Sequence, residues 1–159
     1  MSKEIFLTQG RVAVVDDDWY EYLNQWKWCV SDGYAVRNGV QQQGKRPPFI
    51  RMHRVVNATP DGFDTDHVDH DKLNNQSANL RTATRSQNLA NSTWSGNKSG
   101  AKGVSFDRGR YRAQLTVNRK KVNLGYFETI QEASDAYWIA AKNLLGEFAM
   151  TNFQPITKE

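Results

Sequence analysis

Two of the three histidines in this 159-residue chain lie in one acidic, amide-rich stretch, residues 65–88. His67 and His70 are interspersed there with three aspartates, and a run of asparagines follows. A carboxylate beside an imidazole, with further oxygen ligands downstream, can hold a hard divalent cation and activate a water molecule. The stretch therefore predicts a metal-dependent hydrolytic site.

The order of local structures supports such a site. Extended structure is expected at residues 53–56, 65–68 and 80–83, with a polar loop over 69–78. Thr84-Arg85-Ser86-Gln87 fits a capping box, so a helix should begin there and hold Asn88 in its first turns. The sequence strand, loop, strand, helix would allow four polar side chains to converge: Asp66, His67, Asn79 and Asn88.

The spacing of these residues resembles that of a known family. Asp66-His67, Asn79-Leu80-Arg81 and residues 84–88 follow one another as in the HNH nucleases, in the form found in phage and intron homing endonucleases with a ββα-metal site. The resemblance implies that His67 is the general base and Asp66 a metal ligand. It also implies that Asn79 orients the loop and the base.

The resemblance extends to the third motif position and to supporting residues. Asn88 stands where the family's name has His and many homing members have Asn. This makes the ligand set harder and less suited to zinc, so Mg²⁺ is the expected cofactor, with Mn²⁺ as a substitute. Three further residues are candidates for phosphate contacts or active-site support: His53, Arg81 and Arg85.

Other interpretations of this stretch remain open. Residues 64–75 could bind calcium, although they lack the ligand order and central glycine of an EF-hand. A zinc site could use His53, His67 and His70, but a chain with one cysteine has no Cys-x-x-Cys pair. His70 could equally be a solvated loop residue or contact a phosphate. A folded but inactive nuclease-like module is also possible.

Charge and composition indicate the partner and the setting. Residues 90–127 hold eight Lys or Arg and one Asp, whereas the whole chain has a net charge of only +4. A concentration of this kind usually meets a polyanion. Cys29 is the only cysteine, and the first residues contain no long apolar run. We therefore expect a reducing, cytoplasmic location without membrane insertion, such as the interior of a phage-infected bacterial host.

The segments on either side of the motif complete the expected organisation. Residues 1–52 read as an αβ lead to the nuclease domain, which is expected to span residues 1–90. Its tryptophans should lie in the core. Residues 91–101 are small, polar and glycine-bearing apart from Trp94, which is typical of a flexible linker.

The last third of the chain predicts a second domain, residues 102–153. Three runs of alternating apolar and polar residues, separated by short turns, indicate an antiparallel sheet with one apolar face. A capping box at Thr129 and apolar residues from Ala133 to Leu144 predict a helix that packs on that face and ends at Gly146. Gly103-Val104, Tyr111-Arg112-Ala113 and residues 124–129 resemble the apetala/ethylene-response-factor DNA-binding domain.

That resemblance implies DNA binding through the exposed sheet face. Candidate DNA contacts are Arg110, Arg112, Gln114, Thr116, Lys121 and Asn123. The reading positions differ from those of the plant domains, so the mode of binding carries over but the target sequence does not.

Together these patterns predict an α+β protein, with a ββα-metal nuclease domain followed by a three-stranded sheet packed on one helix. The expected function is site-specific, metal-dependent hydrolysis of a phosphodiester in double-stranded DNA. We expect a homing endonuclease that nicks one strand as a monomer. The alternatives are a non-enzymatic DNA-binding regulator that uses the C-terminal sheet, and a sequence-indifferent HNH nuclease.

Overall fold

The computed structural model of the chain describes residues 1–41, 43–92 and 98–149. The protein mixes helices with small antiparallel sheets. It divides into two compact units, an N-terminal unit of residues 1–83 and a C-terminal unit that begins at Thr84. No helix in the described ranges is long and apolar enough to cross a membrane.

In its described residues, the N-terminal unit contains three small sheets, two short α-helices and one 3-10 turn, Ser77–Asn79. Its elements are β1 (Ser2–Phe6), β2 (Val12–Asp16), α1 (Asp17–Leu23), β3 (Cys29–Ser31), β4 (Tyr34–Asn38), β5 (Phe49–Arg51), α2 (Met52–Val56), β6 (Asp64–His67) and β7 (Leu80–Ala83). The sheets pair β1 with β2, order β3-β4-β5, and pair β6 with β7. All the pairings are antiparallel.

The core of this unit is built around tryptophan and aliphatic side chains. Trp28 is buried, and its indole N–H donates to the Leu23 carbonyl oxygen at 2.8 Å. Trp19 and Trp26 are partly buried against the same cluster. The guanidinium of Arg37 lies 4.3 Å from the centre of the Trp26 ring. These contacts bear out the prediction that the tryptophans belong to the core.

One expected strand is a helix. Residues 53–56 were expected to be extended because they include two β-branched valines, but α2 covers them. Met52 and Val56 are buried at the two ends of this single turn. His53, next to Met52, is buried as well. A strand would send the neighbours Met52 and His53 to opposite faces, whereas one helical turn can bury residues i, i+1 and i+4 together. Tertiary packing therefore outweighs the local strand preference.

In residues 84–92 and 98–149, the C-terminal unit contains an α-helix, a three-stranded sheet, a longer α-helix and a short 3-10 turn, Gly146–Phe148. Its elements are α3 (Arg85–Asn91), β8 (Val104–Asp107), β9 (Arg110–Val117), β10 (Lys120–Phe127) and α4 (Ile130–Leu145). The sheet is antiparallel with β9 in the centre, which is consistent with the sequence prediction. Both predicted capping boxes are confirmed, at Thr84 for α3 and at Thr129 for α4. Gly146 ends α4 with a positive φ of 60°.

Helix α4 packs on the apolar side of the sheet. Two clusters of buried side chains form there: Val104, Ala113 and Ala133 in one, and Leu115, Tyr137, Ala141 and Leu145 in the other. Three apolar residues of the predicted strands and helix are exposed instead of buried: Leu144 at 55%, Phe106, in an edge strand, at 63%, and Val122 at 38%. Leu145, one position along, takes the buried place at the end of the helix.

The described residues cover only part of two predicted segments. Residues 93–97, with Trp94, lie outside them, so five of the eleven residues of the predicted linker 91–101 are not described. At its ends, Asn91 is the last residue of α3 and Ala101 is buried in the C-terminal core. Residues 150–153, the end of the predicted second domain, are also outside the described residues.

Candidate active site

The centre of the predicted site lies on the hairpin of β6 and β7. Asp66 and His67 are the last two residues of β6, and in the antiparallel register Asp66 faces Arg81 while His67 faces Leu80. Successive residues of a strand point to opposite faces, so the two functional side chains enter different surroundings. One meets a charged partner and the other a group of aromatic rings.

Asp66 forms an ion pair across the hairpin. Its carboxylate is 4% exposed, and its Oδ2 accepts a hydrogen bond from the Nε of Arg81 at 2.8 Å. A buried charge requires such a partner, because an unpaired carboxylate in this position would lose most of its hydration. Arg81, predicted as a phosphate contact, therefore has a carboxylate partner within the protein.

His67 lies among aromatic rings. It is 5% exposed, and its ring centre is 5.1 Å from that of His53 and 5.9 Å from that of Tyr34. Burial lowers the pKa of His67, although the Asn75 amide and the carboxylates of Asp69, Asp66 and Asp71 act in the opposite direction. Since the net shift is downward, the imidazole is neutral at neutral pH and can accept a proton.

His53 packs directly against the predicted base. Its ring meets that of His67 edge to face, at 86°, and lies 4.8 Å from the ring of Tyr34. Burial, followed by the neighbouring His67, lowers the pKa of His53 to about 3. Its Nδ1 is buried and has no hydrogen-bond partner among the described residues. The structure thus brings His53 to the site as a neutral ring.

Asn79 organises the loop between β6 and β7. Its side-chain oxygen accepts from the backbone N–H of Asp69 at 3.0 Å, and its amide nitrogen donates to Asp69 Oδ1 at 2.8 Å. The same nitrogen donates to the Asn74 carbonyl oxygen at 2.9 Å, and Val68 N–H donates to the Asn79 carbonyl oxygen. These bonds hold the turn that follows His67, which supports the predicted orienting role of Asn79.

Asp69 also supports the loop from within. Its second carboxylate oxygen accepts from the side-chain amide of Asn74 at 2.7 Å, and its first accepts from Asp71 N–H at 2.9 Å. Burial alone would raise the pKa of Asp69, but these hydrogen bonds outweigh it and lower the pKa. Asp69 is therefore an ionised acceptor that shapes the loop.

Strand β2 fixes the other end of the loop. Val14 N–H donates to the Leu73 carbonyl oxygen, and Asn75 N–H donates back to Val14 at 2.7 Å. Asp16 precedes α1 without capping it through its side chain; its Oδ2 instead accepts from Ser77 N–H at 2.7 Å. Burial alone would raise the pKa of Asp16, but hydrogen bonds from Ser77 and Gln76 outweigh burial and lower this pKa.

The remaining motif residues lie on α3, in the C-terminal unit. Asn88 is half-buried in this helix, and its backbone N–H donates to the Thr84 carbonyl oxygen at 3.0 Å. Arg85, at the first position of the helix, is exposed. The convergence of Asn88 with Asp66 and His67 stays a prediction.

The described residues also bear on the alternative metal sites. Within residues 1–41, 43–92 and 98–149, no three His, Cys, Asp or Glu side chains are grouped in a way that could hold a metal ion. His70, a third ligand of the conceivable zinc site, sits in the turn after His67 with a positive φ of 66°. Asp66 with an asparagine would provide oxygen ligands only, which suits a Mg²⁺ that keeps its waters or binds substrate phosphate.

The polar face of the C-terminal sheet carries the predicted DNA contacts. The register pairs Lys121 with Thr116 and Asn123 with Gln114, so these four side chains share one face. Arg110 and Arg112 continue it along β9 by alternation. Arg110 is exposed and lies 3.0 Å from an exposed carboxylate oxygen of Glu128, whereas Arg112 is half-buried.

Comparison with known proteins identifies the family. The sequence profile of a family described as HNH endonuclease matches residues 57–90, which contain β6, β7 and the start of α3. An uncharacterized HNH endonuclease of Acanthamoeba polyphaga mimivirus is 32% identical over 145 residues, which is 91% of this chain and 76% of that protein. The chain belongs to the HNH endonuclease family. It is accordingly an enzyme, a DNA endonuclease that hydrolyses phosphodiester bonds, and enzymes of this family generally use a divalent metal ion.

The HNH family profile does not extend to the last domain. No solved structure matches the chain significantly. The profile stops at residue 90, before the three-stranded sheet. The resemblance of that sheet to the apetala/ethylene-response-factor domain therefore remains a proposal.

Sequence reasoning missed several residues of this HNH site. Tyr34 is 33 positions from His67 and belongs to another sheet, so no local pattern connects the two. Asn75 is fully buried beside His67, although in the sequence it is one of several polar residues in the loop. A signal was present for a basic surface near Arg51, since residues 33–60 hold five Lys or Arg and no Asp or Glu.

Proposed function

We propose that this HNH endonuclease is a site-specific, Mg²⁺-dependent enzyme of homing type that nicks double-stranded DNA. The observation that carries the proposal is the pairing of two buried neighbours on β6. Asp66 has a guanidinium partner 2.8 Å away, and His67 has aromatic surroundings that favour its neutral form. A charged oxygen ligand beside a neutral imidazole is the combination that metal-assisted hydrolysis needs.

His67 acts as the general base in this proposal. Its neutral ring takes a proton from a water molecule while the water oxygen attacks the scissile phosphorus. The bond between phosphorus and the 3′ oxygen breaks, and the leaving oxygen acquires a proton. The products are a 5′ phosphate and a 3′ hydroxyl. The hydrogen-bonded loop of Asn79 and Asp69 keeps the turn after His67 in place, so the ring is positioned before substrate binds.

Asp66 and Asn88 are the proposed protein ligands of the metal. The buried carboxylate of Asp66 supports the first assignment, and the position of Asn88 in the sequence motif supports the second. A bound Mg²⁺ would offset the negative charge that develops on the leaving oxygen. Because both ligands are hard oxygens, Mn²⁺ should substitute for Mg²⁺. Arg85 remains a candidate for contact with a DNA phosphate.

The C-terminal unit is the proposed reader of the DNA sequence. A strand face can enter the major groove, where arginine reads guanine and glutamine or asparagine reads adenine. The cross-strand pairs Lys121–Thr116 and Asn123–Gln114 give the exposed face both cationic and amide groups. One motif set in the chain favours cleavage of one strand by a monomer. The viral origin of the relative is in keeping with action inside an infected cell.

The test is to incubate the pure protein with phage DNA and Mg²⁺ and to map the ends by sequencing. A single defined nick, with a 5′ phosphate and a ligatable 3′ hydroxyl, is expected. Cuts scattered over the DNA would indicate a sequence-indifferent nuclease instead. No cut with either Mg²⁺ or Mn²⁺ would refute the proposal. In parallel, Asn88→Ala should weaken cleavage, with partial recovery in Mn²⁺, and His67→Ala serves as the inactive control.

A further inference from the structure

A second basic surface lies beside the catalytic histidine. Residues 33–60 carry five Lys or Arg without any Asp or Glu, and they include β4, β5 and α2. This concentration is separate from the one in the C-terminal sheet. An exposed basic surface without acidic residues usually binds a polyanion. The position of these basic residues relative to His67 therefore indicates which part of the DNA they could contact.

The sheet register places Arg51 on the side of the sheet that holds Tyr34. Tyr34 and Val36 alternate onto one face of β4, and Val36 pairs directly with Arg51 of β5. Paired residues of an antiparallel sheet share a face. Tyr34 contacts both His67 and His53, so Arg51 belongs to the same face as a residue that touches the proposed base.

Arg51 also lies near His53 in space. After burial and the neighbouring His67, the positive charge of Arg51 is the next influence that lowers the pKa of His53. An exposed charge acts strongly only over a short distance, because water and salt screen it. Arg51 is exposed, immediately before the helix that carries His53.

Two arginines border His53, and they differ in their partners. Arg54 donates to three carbonyl oxygens, those of Thr59, Pro60 and Phe63, and so holds the segment before β6. Among the described residues, Arg51 has no carboxylate within ion-pair distance and no side-chain hydrogen bond. Its guanidinium is therefore available to a ligand. Lys45 and Arg46, in the loop between β4 and β5, are exposed and equally without acidic partners in the described ranges.

We propose that Arg51 binds a backbone phosphate next to the scissile phosphate, on the DNA strand that is cleaved at His67. This inference rests on the proposed function, because it assigns the substrate track of that same site. A guanidinium can contact a phosphate in a bidentate manner. Contacts to flanking phosphates position the duplex without reading its sequence.

The first test compares Arg51→Gln with Arg11→Gln in the full chain. Both substitutions remove one exposed positive charge from the N-terminal unit, but Arg11 lies in the turn between β1 and β2. Arg51→Gln should weaken binding to all duplexes alike and flatten the slope of log K against log salt by about 0.9. The affinity ratio of wild type to variant should then shrink by about 3.5-fold when salt is raised fourfold. Equal slopes for the two variants would overturn the proposal.

The second test locates the contact with neutral phosphates. Duplexes carrying a single methylphosphonate at each position near the nick remove one phosphate charge at a time. At one or more positions flanking the cut, wild type should lose rate and affinity, whereas Arg51→Gln should lose nothing further, because the contact is already absent. Additive losses at every flanking position would show that Arg51 contacts none of them.

These tests distinguish failure of the Arg51 proposal from failure of the proposed function. If wild type does not cut DNA at all, the function is wrong, and the salt slopes alone report on Arg51. If wild type nicks its site and Arg51→Gln behaves as Arg11→Gln does, the function stands and the phosphate track is wrong.

Discussion

Gly103 provides a quantitative test of how the C-terminal unit is built. It precedes β8 with a φ of +67°, and a Cβ at this position would lie 2.2 Å from two ring carbons of Tyr137 and 2.7 Å from the Gln114 carbonyl oxygen. Tyr137 is buried on α4, and Gln114 N–H donates to the Gly103 carbonyl oxygen at 2.8 Å. Neither obstacle can move without shifting the helix or the central strand. Gly103→Ala should therefore displace the sheet.

The magnitude follows from a matched control. Gly100 has a similar φ of +73°, but nothing lies within 4 Å of the position of its Cβ. Both alanine variants incur the cost of a left-handed conformation, about 1–2 kcal/mol. Only Gly103→Ala adds an overpacking cost, about 1–3 kcal/mol. This additional cost corresponds to an increase of about 5- to 150-fold in the population of molecules in which the sheet is locally unfolded.

Amide hydrogen exchange followed by mass spectrometry measures this difference. Peptides from β9 and β10 should exchange faster in Gly103→Ala than in Gly100→Ala, by the factor given above. Peptides from β6 and β7 serve as the internal reference. Since Gln114 is a proposed DNA contact, Gly103→Ala should also bind DNA more weakly. Indistinguishable exchange in the two variants would refute the packing of Gly103 against Tyr137.

The other predictions concern the site and its supports. His67→Ala should lower the cleavage rate by about two to four orders of magnitude, measured in single-turnover assays, while DNA binding stays nearly intact. Near-normal cleavage by this variant would place the general base elsewhere. Asp66→Ala should abolish cleavage at any Mg²⁺ concentration, whereas full wild-type activity in excess EDTA would exclude a metal mechanism. Lys121→Ala should weaken binding to all duplexes and flatten the slope of log K against log salt by about 0.9. Gln114→Ala should instead reduce sequence preference at one base pair by about 1–3 kcal/mol. Titration of specific and scrambled duplexes distinguishes the two effects. Asp16→Asn should lower Tm at neutral pH. Because the folded pKa of Asp16 is depressed, its contribution exists above the ordinary Asp pKa of about 3.9 and is lost as pH falls through the folded pKa, so the Tm difference should vanish in acid.

Local sequence determined those parts of the structure that depend on short-range contacts. The capping boxes at Thr84 and Thr129 each join residues three positions apart, and both are present. The β6–β7 hairpin lies where the Asp66-His67 and Leu80–Ala83 pieces were expected. Such features are decided by neighbouring side chains and backbone groups, which a sequence displays directly.

Long-range packing decided the parts that the sequence did not reveal. The pair Val55-Val56 favours a strand, yet the segment is a helix, which buries the neighbours Met52 and His53 together with Val56. The same helix places the ring of His53 against that of His67. In an extended segment the side chain of His53 would point away from His67. Leu144 and Leu145 are equally apolar, and only the final orientation of α4 on the sheet selects Leu145 for burial.

The hairpin explains how one short strand supports two different chemical roles. Asp66 and His67 are adjacent and almost equally buried, at 4% and 5% exposure. Burial by itself would disfavour the charged form of both. Alternation along β6 sends them to opposite faces, and there Asp66 meets the guanidinium of Arg81, whereas His67 meets the rings of Tyr34 and His53. The carboxylate thus gains a partner that supports its charge, while the imidazole stays neutral. A slip of one residue in this register would exchange the two environments, leaving the Asp66 carboxylate without a counter-ion and placing the imidazole of His67 beside a repelling cation. The ion pair with Arg81 therefore fixes the register on which the proposed acid–base chemistry depends.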